Sequence, residues 1–341
     1  MNIPALYYAL LAAGVLAAAL FFAAGLKCRR LQPLFALPSS VAGLLLAFVL
    51  GKLLYLVFHL EQASLEGAWL RLDPTEFSFT GCLAGFALGV LLTARVRKLP
   101  AAQVMDCFAV PLCVLAAFVR FAEIFAGELG LAEMATFGLE EISDGSLLAF
   151  FPLAIRDQWG MWLFALSTLE TLGALFAAFL VIRRRARSAR NGSILRDGML
   201  FELALYVLCL FGMFFETAKI ISVVFYFVHL EQLFSVLVML VLLVRLCCLL
   251  SRTGRPRPWL SLVFFLLCIA LNGFAQYFMD KAWQFYEIIP ENIFSFINDH
   301  LGQVCYGVML LTVVLSFFLY DVPFRRVLAV QGENTHDSAE N

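Results

Sequence analysis

Apolar residues dominate long runs of this chain, and short polar connections separate them. The runs fall near residues 5–26, 36–58, 77–94, 105–125, 159–182, 199–226, 228–250, 259–279 and 303–320. A helix crosses about 30 Å of hydrocarbon in roughly 20 residues, so each run is long enough to span a bilayer. In lipid a single segment satisfies its own backbone hydrogen bonds only as a helix, so the pattern predicts an all-α polytopic protein of about nine transmembrane helices. The polar connections differ in charge. Every second one is basic, with Lys27, Arg29 and Arg30, then Arg95, Arg97 and Lys98, then Arg183 through Arg196, then Arg252, Arg255 and Arg257, and finally Arg325 and Arg326. The alternate connections hold only Arg71, Arg156 and Lys281. Basic loops stay on the cytoplasmic side, which places the N-terminus outside and the C-terminus in the cytoplasm. With its positive charges after it and none before, the first run reads as a retained anchor and not as a cleaved signal peptide.

Two boundaries follow from the polar segments. Arg252 to Pro258, with Gly254 and Pro256, reads as a hinge between a seven-span domain over 1–251 and a two-span unit over 252–330. The polar segment 331–341 is expected to be a disordered tail. Between the fourth and fifth runs lies an acidic connection from about Gly127 to Asp157 that holds the apolar stretch Leu147 to Pro152. Connections of that length usually carry function or are disordered.

Composition narrows the chemistry. With 62% hydrophobic and 14% charged residues and a net charge of −1, the chain has no basic block that could grip nucleic acid. Its nine cysteines lack CxxC or Cys/His spacing, so neither a metal site, a disulfide framework nor a cofactor is expected.

The informative residues are the charges inside the apolar runs: Lys52, Arg120, Glu123, Glu170, Glu202, Glu216 and Lys219. Each costs about 2.5 to 3.5 kcal/mol at mid-helix on insertion scales, so they are expected to face one another or a polar ligand and not lipid. Counted from the outer ends of their runs, Lys52, Thr80, Arg120, Glu123, Glu216 and Lys219 fall at similar depth. Arg120, Glu123 and Gly127 share a helix face, as do Lys52, Tyr55 and His59. A structural reading stands beside each functional one. Arg120 with Glu123, and Glu216 with Lys219, have the spacing of helix-locking ion pairs. Gly81, Gly85 and Gly89 have the spacing of a close helix contact. His59 and His229 fit solvated helix ends, and Glu170 and Glu202 fit neutral, hydrogen-bonded packing groups.

The order of certain residues resembles bacterial prolipoprotein diacylglyceryl transferase. The matching stretches are Leu50-Gly51-Lys52-Leu53-Leu54-Tyr55, Phe77 through Gly85, Val104-Met105-Asp106 with Pro111, and Arg120 through Gly127-Glu128-Leu129, spread over residues 1 to about 250. The resemblance implies a seven-helix transferase-like core with two added C-terminal helices. It also implies transfer of diacylglyceryl from phosphatidylglycerol to the lipobox cysteine in exported prolipoprotein signal peptides. It assigns Arg120, Lys52, Tyr55, Gly81 and Gly127 to substrate binding, and Glu123, Glu128 and Thr80 to the catalytic positions. Lys52 stands where the family has arginine, Thr80-Gly81-Cys82 where it has His-Gly-Gly, and Phe215 where it has arginine on the sixth span. A non-catalytic descendant that binds lipid or exported peptide is therefore the alternative reading. Transport is a third, but no paired broken helices or repeats are visible to support it.

Overall fold

The computed structural model describes residues 3–59, 67–73, 76–126, 142, 145–156, 160–190, 196–219, 224–225, 228–251, 259–281, 284, 295 and 300–337. Among these, nine helices are long and apolar enough to cross a membrane. They are α1 (Pro4–Cys28), α2 (Ala36–Phe58), α3 (Phe79–Val96), α4 (Ala101–Glu123), α5 (Leu166–Arg190), α6 (Met199–Glu216), α7 (Leu230–Ser251), α8 (Trp259–Asp280) and α9 (Leu301–Asp337). Leucines on their outer faces, such as Leu16, Leu20 and Leu45, are exposed as lipid-facing residues should be. The protein is a multi-pass membrane protein.

Two helices depart from the apolar pattern, the fifth starting later and the sixth ending earlier than predicted. Strand β2 (Trp162–Phe164) pairs antiparallel with β1 (Ala154–Arg156), and the fifth helix begins only at Leu166. The sixth helix stops at Glu216, and Val224–Phe225 (β3) pairs with Val228–His229 (β4). Both segments are rich in β-branched and aromatic residues, which favour strands where water or protein completes the backbone bonding. As a consequence Lys219 lies past the end of α6 and not inside a span. Glu202, expected to be deep, lies in the first turn of α6, where the helix dipole favours a carboxylate. The backbone of α9 is helical to Asp337, through most of the segment expected to be a disordered tail. The expected hinge at 252–258 lies outside the described residues.

The helices form two compact units. The first comprises Met1–Gly130, Ser167–Arg187 and Arg196–Leu208. Its main contacts are α2 with α3 and α1 with α4. The α2–α3 contact depends on the glycine repeat: a methyl at Gly81 would meet Leu50 O at 2.7 Å, and one at Gly89 would meet Gly43 Cα at 2.6 Å. A methyl at Gly85 would run into the carbonyl of Leu46. Backbone lies on the far side of all three, so a larger residue cannot be accommodated by a rotamer change. The glycines are therefore a helix seam. Beneath it Phe22, Phe86 and Phe108 are buried, with Phe108 stacked on Phe86 at 5.5 Å and edge-on to Phe22 at 5.3 Å.

Asp106, on buried α4, caps α6 from outside that helix. Its Oδ2 accepts from the Gly198 N–H at 2.9 Å, and its Oδ1 accepts from Leu200 at 2.9 Å and Phe201 at 3.1 Å. The first N–H groups of a helix have no partner of their own, and leaving a buried one unsatisfied costs about 1 to 3 kcal/mol. One carboxylate thus joins two helices and satisfies three donors, a structural role that accounts for Asp106 without chemistry.

The second unit comprises Leu131–Leu166, Ser188–Leu195 and Cys209–Asn341. Here α8 packs along α9, and the buried Asn272 Nδ2 donates to Thr312 Oγ1 at 3.0 Å. Asp321 of α9 is buried and paired with Arg325 one turn later.

Candidate functional site

In the first unit the buried cations Lys52 and Arg120, each with its carboxylate partners, lie beside the N-terminus of α3. Ser78 caps that helix by accepting from the Gly81 N–H at 3.1 Å, and the Ser78 N–H donates to Gly51 O at 3.1 Å. The start of α3 is thereby tied to the turn of α2 that carries Lys52. A side chain at Gly51 would meet Cys82 Sγ, which would have to turn away to admit it. Phe77 and Phe79 then point to two separate cations. The Lys52 ammonium lies 5.0 Å from the Phe77 ring centroid, and the Arg120 guanidinium carbon lies 3.6 Å from that of Phe79. Aromatic faces stabilise such cations in a dry setting.

Each cation is held by carboxylates. Lys52 is fully buried; its Nζ donates to Glu76 Oε2 at 2.6 Å and to Arg71 O at 3.2 Å. Arg71, half exposed, approaches the other Glu76 oxygen at 3.8 Å. Tyr55 borders the same ammonium at 5.9 Å and stacks on His59 at 4.1 Å, so the expected Lys52, Tyr55, His59 face is continuous. Arg120 bridges two acids. Its Nη1 donates to Glu123 at 2.9 and 3.1 Å, and its Nε lies 3.3 Å from Glu170 Oε2. The pair expected from the sequence is a Glu123–Arg120–Glu170 triad, and Glu170 belongs to it and is not merely a packing group.

The structure brings together Lys52, Tyr55, Thr80, Gly81, Arg120 and Glu123 of the residues singled out from the sequence. Thr80 lies in the first turn of α3, next to Phe79. Gly81 turns its open face onto α2 and belongs to the helix seam. Gly127 and Glu128 lie outside the described residues. Sequence reasoning missed Glu76, Arg71, Phe77 and Phe79 as cation partners. Glu76 reads as a loop charge, and its only signal is that it directly precedes an apolar run opposite a buried lysine.

Glu216 and Lys219 belong to the second unit. Lys219 Nζ donates to Glu216 at 2.9 Å, across the end of α6. Phe215, where the resemblance leads one to expect arginine, is buried and stacks on Phe211 at 5.9 Å. His229 is buried instead of solvated, because the β3–β4 hairpin folds it in just before α7. Burial, and then the Lys219 ammonium, push its pKa down to about 4. The ordinary value is about 6.5, so the unfolded chain takes up the proton first. Stability is therefore complete above about pH 6.5 and declines as pH falls toward 4. Thermal melts in detergent across that window are expected to show a falling midpoint, and His229→Gln is expected to flatten that part of the curve. An unchanged slope in the variant would assign the loss to other groups.

No curated protein matches the chain. Residues 2–271, however, match the family model of prolipoprotein diacylglyceryl transferase. The match runs past the polar segment 252–258 and into α8, beyond the end near residue 250 expected from the resemblance, and leaves α9 outside it. It covers the α2, α3, α4 and α5 positions that build the two cation clusters. The chain belongs to the prolipoprotein diacylglyceryl transferase family.

Proposed function

We propose that the protein transfers a diacylglyceryl group from phosphatidylglycerol to the lipobox cysteine of exported prolipoproteins, at the outer side of a bacterial inner membrane. One observation carries this reading: two buried cations on different helices flank the N-terminus of a third, and each is held by a carboxylate that a phosphate could replace. Helix N-termini favour anions through their unpaired N–H groups and dipole. Arg120 suits a phosphate because its planar fork makes two parallel bonds, while Lys52 acts as a point charge. Arg71, half exposed, is the cation a headgroup meets first.

The exchange of partners supplies the chemistry. When the lipid phosphate takes Arg120, the Glu123 carboxylate is released to accept the proton of the incoming cysteine thiol, and Glu128 is the second candidate for that role. The thiolate, which is the reactive form, attacks the glycerol carbon that carries the phosphate ester. A carbon–sulfur bond forms, the carbon–oxygen bond breaks, and its electron pair leaves on glycerol phosphate. Lys52 and Arg120 stabilise that developing charge where water is excluded.

A non-catalytic lipid or peptide binder is the second reading, favoured by Thr80 at the family's histidine position and by Phe215 within an aromatic stack. Expression in a bacterium depleted of its own transferase separates the two. Rescue that is abolished by Arg120→Gln supports the enzyme, whereas a fully inserted protein that fails to rescue supports the binder. Orientation is tested by single cysteines at Gly67 and Ala189 after removal of the exposed Cys28 and Cys248. Gly67→Cys is expected to react with an impermeant reagent from outside, and Ala189→Cys only after permeabilisation; the reverse pattern would invert the topology.

A further inference from the structure

The apolar stretch Leu147 to Pro152 belongs to the second unit, whereas the cation clusters belong to the first. It forms a hydrogen-bonded turn and not a loose loop: the Leu148 N–H donates to Ser146 Oγ at 3.3 Å, Ala149 N–H to Ser146 O at 3.0 Å, and Ala154 N–H to Phe150 O at 2.9 Å. This turn holds its large side chains outward, with Leu147 91% exposed, Phe150 49% and Phe151 48%. Residues 145–155 carry no charge at all. In a water-facing loop such a cluster is unfavourable, since adjacent exposed apolar side chains mark a contact surface.

The turn is tied by its own backbone to the start of a span. Leu153 O, at the foot of the turn, accepts from the Ala165 N–H at 2.8 Å. Ala165 immediately precedes Leu166, the first residue of the α5 span. The foot is thereby tied to the residue that enters this span, and the β1–β2 ribbon beside it carries residue types common at a membrane interface. Arg156 is exposed with its guanidinium carbon 4.8 Å from the Trp162 ring centroid. Tryptophan, and arginine able to reach headgroup phosphates, are the residues that populate this layer.

We propose that the 145–153 turn inserts Leu147, Phe150 and Phe151 into the headgroup layer of the membrane leaflet that adjoins the start of α5. The continuity of the turn with a span, its lack of charge and the flanking Arg156–Trp162 pair all favour lipid as the occupant over a soluble protein. The inference does not depend on the transferase reading, because no residue of the cation clusters enters it.

The test uses the full-length protein in nanodiscs, with Cys28 and Cys248 replaced and an environment-sensitive fluorophore on Leu147→Cys. That position is so exposed that the label should not disturb folding. Nitroxide lipids with the spin label near the headgroup end of the acyl chain are expected to remove most of the fluorescence, while aqueous iodide removes little. Quenching by iodide alone would place the turn in water and overturn the assignment. Protection from both quenchers would also overturn it, pointing to a covering polypeptide. A Leu147→Ser, Phe150→Ser, Phe151→Ser variant labelled at Ser146→Cys is expected to lose the lipid quenching; retained quenching there would show that the apolar side chains do not hold the turn in the membrane.

Discussion

Replacing Arg120 by glutamine is expected to weaken phosphatidylglycerol binding by roughly tenfold or more, since hydrogen bonds to a charged group contribute about 1.5 to 3 kcal/mol. The same change is also expected to destabilise the protein strongly. Arg120 is the cation between Glu123 and Glu170, and removing one member of a buried ionic cluster typically costs about 3 to 5 kcal/mol because the rest remains desolvated. The two effects are separated by repairing the cluster. Arg120→Gln with Glu123→Gln should recover part of the stability, and adding Glu170→Gln should recover most of it. Thermal midpoints and lipid affinity, measured in detergent on all three variants, give the answer. A repaired, stable variant with undiminished phosphatidylglycerol affinity would reject Arg120 as a headgroup ligand and leave the triad a purely structural lock.

The second large effect is expected at Lys52. This ammonium is fully buried and bonded to Glu76 at 2.6 Å, so Lys52→Met should cost about 3 to 5 kcal/mol by the same logic. Arg71, already 3.8 Å from Glu76, can move toward the vacated carboxylate and reduce the loss. Removing that substitute as well, in Lys52→Met with Arg71→Gln, should therefore be worse than either change alone, whereas Lys52→Met with Glu76→Gln should be milder. Lys52→Arg introduces the arginine that the resemblance leads one to expect and offers Glu76 or a phosphate a planar pair of donors. It should keep the fold and bind phosphatidylglycerol at least as tightly. If Lys52→Met in the Glu76→Gln background binds lipid as well as the unaltered protein, the lysine is a packing device and not a headgroup cation.

The sequence reached unequal depths for different parts of the site. Lys52, Arg120 and Glu123 were legible because a charge in an apolar run has few explanations other than an interior partner. Glu76 was not, because it lies in a polar connection where an acid is ordinary, and only the tertiary structure brings it onto Lys52. Glu170 was seen as buried, but its partner was not, since α4 and α5 are adjacent through a contact that no local spacing encodes. The glycine repeat was read correctly as a close helix contact, and the structure supplied its partner, α2. His229 was misread as a solvated helix end because the apolar runs 199–226 and 228–250 count the residues of β3 and β4 as helix ends, whereas their pairing folds His229 in.

What the sequence determines by itself is the membrane class, the number of spans and the alternation of basic loops. These follow from composition over windows of about 20 residues, which the bilayer reads directly as insertion energy. What the tertiary structure decides is which carboxylate holds which cation, where the fifth and sixth helices end, and that Asp106 is a cap. Those depend on single atoms from distant segments meeting within hydrogen-bond range. Hydropathy is a sum over neighbours in sequence and carries no record of such meetings, whereas a buried ion must find its partner in space or not fold at all.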